Sequence, residues 1–372
     1  MNILMLSWRD PKHPNSGGAE IATLEHTKAW VKKGHEVFWF SSDFLGARKE
    51  ETISGIKVIR KGRQYFDVQV RAFLWYFFGK HPKFDLVVDQ HHGIPFCTPF
   101  YVRTKKLVFI HEVASEVWRL NPWPRPFNLL AAAIGKTLEP WIFKIFYRKV
   151  PFMVVSESTR DDLVSFGISK DNIFVIHNGV NLNLPDPIPP KEKKKTAMFL
   201  GAISEDKGIR DALLAFSEIN KKDPNWQFWI AGKAALKFKN LIKDQSRQLG
   251  IVEKLKYWGY ITDIKKFELL ARAHVLINPS VHEGWGLVNI EANAVSTPVV
   301  GYNVHGMRDS VKSNYNGILV KQGDYRNLAE NAIKLINDAK KYRRYRKNCK
   351  KWTAKFSWRK ATNQSLSLIE NL

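Results

Sequence analysis

Two carboxylates eight positions apart, Glu283 and Glu291, stand in the segment Asn278-Pro-Ser-Val-His-Glu-Gly-Trp-Gly-Leu-Val-Asn-Ile-Glu291. The apolar run before it reads as a strand, the glycine-bracketed stretch as a turn, and the residues from Leu287 onward as a helix. That order leaves the amides of Gly286, Leu287 and Val288 free at a helix start, where an anion is stabilised by both hydrogen bonds and the helix dipole. A carboxylate in the turn can accept hydrogen bonds from sugar hydroxyls, and one further along can hold the vicinal hydroxyls of a ribose. The other reading is a capping role for Glu283 and a solvated Glu291, which the apolar neighbours Ile290 and Ala292 argue against. Two further stretches share the strand, loop, helix order. Phe199-Leu-Gly-Ala-Ile-Ser-Glu-Asp-Lys-Gly208 offers Lys207 as a counter-charge for a diphosphate. Pro14-Asn-Ser-Gly-Gly-Ala-Glu20 offers the paired Gly17 and Gly18, whose backbone can approach an anion closely. Taken singly, a glycine pair is an ordinary turn and a lysine in a polar loop is ordinarily solvated.

Such loops need a scaffold of parallel strands. The sequence predicts strands at Asn2–Trp8, Glu36–Ser41, Ile56–Arg60, Leu86–Gln90, Leu107–His111, Phe152–Ser156 and Ile173–His177. A second set follows at Thr196–Leu200, Gln227–Ala231, Leu255–Trp258, Val275–Asn278, Pro298–Gly301 and Gly317–Val320. Nearly continuous apolar strands separated by helix-length segments indicate parallel sheets covered on both faces. Two sets in 372 residues indicate two α/β domains. The expected division is 1–184, a proline- and lysine-rich linker at 185–195, a second domain at 196–355, and a last helix at 356–372 packing back across the domains.

The composition, 44% hydrophobic and 25% charged, is that of an ordinary folded protein. Cys97 and Cys349 cannot make a disulfide framework and fit a reduced, cytoplasmic compartment. The N-terminal apolar run is short for a signal peptide, and no run approaches the ~18 apolar residues of a membrane span. The adjacent His91 and His92 would point to opposite faces of a strand, which makes a poor metal pair.

In order and spacing these stretches resemble glycosyltransferase family 4, retaining enzymes of the GT-B fold. The likeness rests on Gly17-Gly-Ala-Glu20, Gly34-His-Glu-Val37, Asn178-Gly-Val180, Gly201 through Lys207-Gly208, the Glu283/Glu291 pair, Gly306 and the closing Phe356-Ser-Trp358. The resemblance implies an α/β GT-B architecture: two Rossmann-like domains, the first acceptor- and membrane-facing, the second binding a nucleotide sugar, their parallel sheets facing a central cleft. It implies donor contacts from Gly17, Gly18, Gly201, Lys207, Arg210, Ser280, Glu283, Gly284, Trp285, Gly286, Leu287, Val288 and Glu291. His111, in Phe109-Ile-His-Glu112, matches the family's position close to the reacting carbon, so the catalytic set implied is His111, Glu283 and Lys207. The donor implied is a UDP- or GDP-sugar, with no cofactor and no metal.

Three positions depart from the family pattern. Ala202 stands where an arginine usually partners the lysine on the diphosphate, Asn181 replaces a common aspartate, and Asp309 a usual glutamate. Arg210, one turn beyond Lys207, is the candidate substitute. Ala202 is the main reason to keep open a catalytically weak or inactive glycosyltransferase-like binding subunit. A nicotinamide dehydrogenase is disfavoured because no Gly-x-Gly-x-x-Gly follows the first strand.

The formal charge of +24 would attract polyanions. Basic residues are read as gathering in the first domain, from Arg60 to Lys149. Between Trp118 and Lys149 they interleave with aromatic residues, which suits a lipid headgroup interface. Trp141, Lys144, Arg148 and Lys149 are the expected membrane-facing residues; the opposing reading is the ordinary charged outer face of a covering helix. The partners expected are a nucleotide-sugar donor, a lipid-linked or glycan acceptor and an anionic membrane surface, at the cytoplasmic face. Nucleic acid is not expected, since no binding motif accompanies the charge.

Overall fold

The computed structural model of the chain describes residues 1–65, 67–91, 94–114, 118, 125–181 and 183–372. It divides into two compact units, Met1–Gly179 with Ser357–Leu372, and Val180–Phe356.

The first unit runs β1 (Asn2–Leu6), α1 (Gly18–Lys32), β2 (Glu36–Ser41), β3 (Glu50–Ile53), β4 (Ile56–Arg60), α2 (Val68–Phe78), β5 (Leu86–His91), β6 (Lys105–Ile110), α3 (Phe127–Ile142), β7 (Phe152–Val154), α4 (Glu157–Ser165) and β8 (Ile173–Val175). Its sheet has the order β3-β4-β2-β1-β5-β6-β7-β8. Every pairing is parallel except β3 with β4. The central strands are apolar through their length: Ile3 to Leu6 and Leu107 to Ile110 are buried. This is what burial on both faces demands. The unpredicted strand β3, Glu-Glu-Thr-Ile, is a half-exposed edge and carries no such run.

The second unit runs β9 (Lys195–Leu200), α5 (Ile209–Lys222), β10 (Trp226–Ala231), α6 (Leu236–Gln248), β11 (Leu255–Gly259), α7 (Asp263–Arg272), β12 (Val275–Asn278), α8 (Leu287–Ala294), β13 (Val299–Tyr302), α9 (Met307–Ser310), β14 (Gly317–Val320), α10 (Tyr325–Asn337) and α11 (Ala339–Thr353). Its sheet order, β11-β10-β9-β12-β13-β14, is the third-second-first-fourth-fifth-sixth order of a Rossmann fold. The reversal falls between β9 and β12. The corresponding reversal in the first unit falls between β1 and β5. Ligands of open parallel sheets sit at such points, beyond the carboxyl ends of the strands.

The stretch expected as a linker is laid onto the second unit. Lys191 Nζ donates to the Ala273 carbonyl at 2.6 Å and to Thr297 Oγ1 at 2.6 Å. The Glu192 amide donates to the Arg272 carbonyl at 2.9 Å. The last helix, α12 (Trp358–Asn371), belongs to the first unit, where its Ser365 hydroxyl meets His26 Nδ1 at 2.8 Å and accepts from Trp30 Nε1 at 3.1 Å.

In the first unit, the loop after β1 is held by a buried ion pair. Arg60 Nε and Nη2 donate to the Asp10 carboxylate at 2.6 and 2.9 Å, and Ser41 Oγ donates to the same group at 3.0 Å. Removing one partner of such a pair strands a buried charge. Arg60→Ala should therefore lower the stability of the first unit by about 3–5 kcal/mol. Denaturant unfolding should show that loss, and a midpoint equal to the parent's would mean that Asp10 does not depend on Arg60.

Candidate active site

The carboxyl ends of β9 and β12 carry the two loops with the predicted chemistry, and the loops are fastened to each other. The Val281 amide donates to the Asp206 carbonyl at 2.9 Å, and Ser280 Oγ lies 3.1 Å from the same oxygen. Gly208, at φ +72°, sits where a Cβ would come within 2.0 Å of the Pro279 carbonyl oxygen. That approach is open only to glycine. The result is a contact of 3.0 Å between Lys207 Nζ and Glu283 Oε1, with Glu283 mostly covered. Gly306 presses from the other side: a Cβ there would lie 1.9 Å from the Glu283 carbonyl oxygen.

Helix α8 begins at Leu287, with Gly286 at φ +70° before it and no acidic residue in its first turn. Its position is set by a buried amide network. Asn278 Nδ2 donates to Asn289 Oδ1 at 2.8 Å, and Asn289 Nδ2 to Ser310 Oγ at 2.9 Å. Glu291 lies on this helix beside Lys266 of α7, whose Nζ is 2.6 Å from Glu291 Oε1 and 3.0 Å from Asp263 Oδ1. Burial raises the Glu291 carboxyl above its usual range, with Lys266 pulling the other way. Burial also works against the Lys266 ammonium, but Glu291 and Asp263 together raise it. Lys266 was not foreseen; it lies 25 positions from Glu291, on a separate helix.

The side chains of three expected donor contacts have partners within the protein. Arg210 Nε is shared between the two oxygens of Glu205 at 2.9 and 3.0 Å, in an ion pair that is about half exposed. It lines a groove of about 540 Å³ with Lys237, Asp244 and Gln248, and neither Lys207 nor Glu283 lines that groove. The Ser280 hydroxyl is spent on the Asp206 and His282 carbonyls. Trp285 is buried edge-on against Phe356. Gly284 is half-buried, and Gly201, at φ +145°, follows β9 with its amide on the Ala231 carbonyl at 3.1 Å.

In the first unit, Gly18 opens α1 and Gly17 precedes it. The Gly17 amide donates to Glu20 Oε2 at 2.7 Å, and Arg9 Nε meets Glu20 Oε1 at 2.9 Å. His111 follows β6, buried. Its Nε2 lies 3.1 Å from Gln90 Nε2 and 3.5 Å from Thr23 Oγ1. Gln90 and Thr23 are brought to it by β5 and α1, and no motif in the sequence marks them. Burial, with minor contributions from His26 and Arg9, holds His111 down to about 3. It is therefore neutral at working pH.

Trp141, Lys144, Arg148 and Lys149 are all exposed at the end of α3 and the π-helical turn beyond it. Lys144 Nζ stands 5.9 Å over the Trp141 ring. Phe127, Leu130, Ile134 and Leu138 of the same helix are exposed as well. Of the other residues of the basic stretch, Arg60 is fully buried, and Arg119 and Trp123 lie outside the described residues. The charge is also distributed otherwise than expected: the first unit has 27 basic and 18 acidic residues, the second 32 and 17. His91 is buried beside Asp89 at 3.2 Å, and His92 lies outside the described residues. Among the described residues no three acidic, histidine or cysteine side chains group as metal ligands. No described helix is long and apolar enough to cross a membrane.

The fold is that of a GT-B glycosyltransferase. The chain superposes on sucrose-phosphate synthase of Thermosynechococcus elongatus with a TM-score of 0.79 and 18% identity, over 100% of this chain and 98% of that one. It superposes on Anabaena HepE in complex with UDP-glucose with a TM-score of 0.76 and 17% identity, over the whole of both chains. Residues 16–184 match Glycosyltransferase Family 4 and residues 182–352 match Glycosyl transferases group 1. The chain belongs to glycosyltransferase family 4. An uncharacterised glycosyltransferase of Methanocaldococcus jannaschii is 27% identical over 91% of this chain and 90% of its own length. Glycogen synthase of Mycobacterium tuberculosis is 26% identical over 66% of this chain and 58% of its own.

The neutral, buried His111 has a consequence for stability. An imidazole in the unfolded chain takes up its proton near 6.5, and the folded one holds off until about 3. Below 6.5 the unfolded state binds more protons, so this contribution is complete above 6.5 and is lost as pH falls towards 3. Between about pH 7.5 and about pH 4.5 the melting temperature should fall less in His111→Gln than in the parent. Equal falls would show that His111 is not buried in its neutral form.

Proposed function

We propose that the protein is a retaining glycosyltransferase that moves a hexosyl residue from a UDP- or GDP-sugar to a lipid-linked or membrane-associated glycan acceptor. The contact of Lys207 with Glu283 beside the open start of α8 carries this reading. A cation, a helix start and a carboxylate stand together where a diphosphate-linked sugar presents phosphate charge next to hydroxyls. The solved complexes of Anabaena HepE with UDP and with UDP-glucose support a donor of this class.

In this reading the diphosphate draws Lys207 to itself and lies at the amides of Gly286, Leu287 and Val288. Glu283 then accepts from the sugar hydroxyls, and Glu291, oriented by Lys266, from the ribose. Gly17, Gly18 and Gly201 lend backbone close to the phosphates. His111, kept neutral, orients the sugar near the reacting carbon. Reaction is at the front face: the leaving phosphate oxygen helps to take the acceptor's proton, while the protein supplies position and charge. The charge on the leaving group is assigned to Lys207 and the helix start, not to a metal ion. The acceptor is assigned to the first unit, whose apolar and basic face at Trp141, Lys144, Arg148 and Lys149 fits an anionic membrane at the cytoplasmic side. Ala202, with Arg210 bound to Glu205, favours a second reading, a weakly active or inactive binding subunit.

Lys207→Ala should weaken binding of the free nucleoside diphosphate by about 10- to 100-fold, the loss of one charge-assisted bond. Glu283→Ala should abolish most transfer while diphosphate binding stays equal or tightens, because Lys207 is released from its partner. Calorimetry with UDP and GDP, beside a radiolabelled transfer assay, reads both. Unchanged affinity in the Lys207 variant would remove this loop from the donor site, and parent-rate transfer in the Glu283 variant would end its assigned role. A parent that binds the nucleotide but transfers no sugar from any donor would favour the binding subunit.

A further inference from the structure

Helix α11 carries eight cations and no carboxylate in fifteen residues, Ala-Lys-Lys-Tyr-Arg-Arg-Tyr-Arg-Lys-Asn-Cys-Lys-Lys-Trp-Thr. Six of them, Lys340, Arg343, Arg344, Lys347, Lys350 and Lys351, recur at three- and four-residue spacing and are all exposed. That spacing places them on one face of the helix, over a length of about 16 Å. The opposite face is packed. Tyr345, Cys349 and Thr353 are buried, Trp352 Nε1 donates to the Ser310 carbonyl at 2.8 Å, and Thr353 Oγ1 to the Ile290 carbonyl at 3.3 Å. The stripe thus stands on the outer side of a helix that braces α8.

Helix stability does not account for this pattern. Like charges three and four residues apart are destabilising, each pair by a few tenths of a kcal/mol. Lys350 and Lys351 do complement the negative end of the helix dipole, but Lys340 stands at the positive end. None of the six has an ion pair among the described contacts, although ion pairs are common elsewhere on this surface.

We propose that this stripe is an electrostatic docking surface for the anionic headgroups of a lipid bilayer. The inference rests on the membrane reading above for its partner class, and on a different helix in a different unit for its support. The six charges occupy one helix face, as a plane of phosphates requires. The helix's aromatic side chains, Tyr342, Tyr345 and Trp352, are buried or half-buried, so the face offers no exposed ring on which nucleic-acid bases could stack. The exposed aliphatic side chains of α3, Leu130, Ile134 and Leu138, have a use at a lipid interface and offer no ring to a base.

The test is K340E/K347E. Each change places an acid four residues ahead of a cation, Arg344 or Lys351, an arrangement that supports the helix. The melting temperature should therefore stay level or rise. Sedimentation with phosphatidylcholine vesicles containing about one-third phosphatidylglycerol should fall about tenfold or more, and binding to pure phosphatidylcholine should not change. Binding of the parent should weaken as salt shortens the reach of surface charge to about 8 Å. Unchanged anionic-vesicle binding in K340E/K347E overturns the inference. If K144E/R148E/K149E then loses binding, the α3 reading stands without it; if only K340E/K347E loses binding, α11 stands and the α3 reading falls. An oligonucleotide that displaces the parent from vesicles at lower concentration than free phosphatidylglycerol micelles also overturns it, in favour of a nucleic-acid partner.

Discussion

The backbone carbonyl of Asp206 is the point on which the candidate site depends. In a sheet ordered as the second unit's is, β9 and β12 are neighbours whose following helices leave in opposite senses, so their loops diverge. Two hydrogen bonds to that one oxygen, from the Val281 amide and the Ser280 hydroxyl, draw the loops together. Both side chains with chemistry are immediate neighbours of this stitch, Lys207 one residue beyond Asp206 and Glu283 two beyond Val281. Their contact of 3.0 Å follows from backbone geometry, and it leaves each with a short reach to a ligand. The glycines at 208 and 306 are the condition: a Cβ at either would meet a carbonyl oxygen at 2.0 or 1.9 Å and push the loops apart.

The first unit reaches a similar loop geometry by other means, and the difference bears on where phosphate charge is best held. Its loop after β1 is fixed by the buried Arg60–Asp10 pair, and its helix start is already occupied by a carboxylate, Glu20, with Arg9 behind it. A helix start carries the equivalent of about half a positive charge, and an internal carboxylate largely consumes it. Helix α8 has no such residue in its first turn. Of the two helix starts, the second unit's therefore has the less compensated positive end.

Much of this was legible in the sequence, because a doubly covered parallel strand has little choice of composition. The apolar runs placed all thirteen expected strands within two residues at both ends, with Glu36–Ser41, Ile56–Arg60, Val275–Asn278 and Gly317–Val320 matching without any difference. β3 was missed for the same physical reason in reverse: as a half-exposed antiparallel edge, Glu50–Ile53 has no need of an apolar run. Motif order likewise found Lys207 and Glu283. It could not find Lys266, Gln90 or Thr23, since nothing local marks a side chain whose partner is supplied by another element. Nor could counting charges tell that Arg60 is buried.

Ala202 gains its meaning from these positions. With Arg210 beside Glu205, the one cation paired with Glu283 among the described residues is Lys207, near the partial charge of the α8 start. The two do not act equally along a reaction. A diphosphate ester in the ground state already carries charge that a lysine and a helix start can hold. The further charge appears only as the glycosidic bond breaks, and a second cation acts chiefly there. An alanine at 202 should therefore leave nucleotide recognition largely in place while withdrawing stabilisation from the transition state. On the proposed reading the enzyme and the binding subunit are then two ends of one scale, set by how well the site holds the charge that develops on the leaving group.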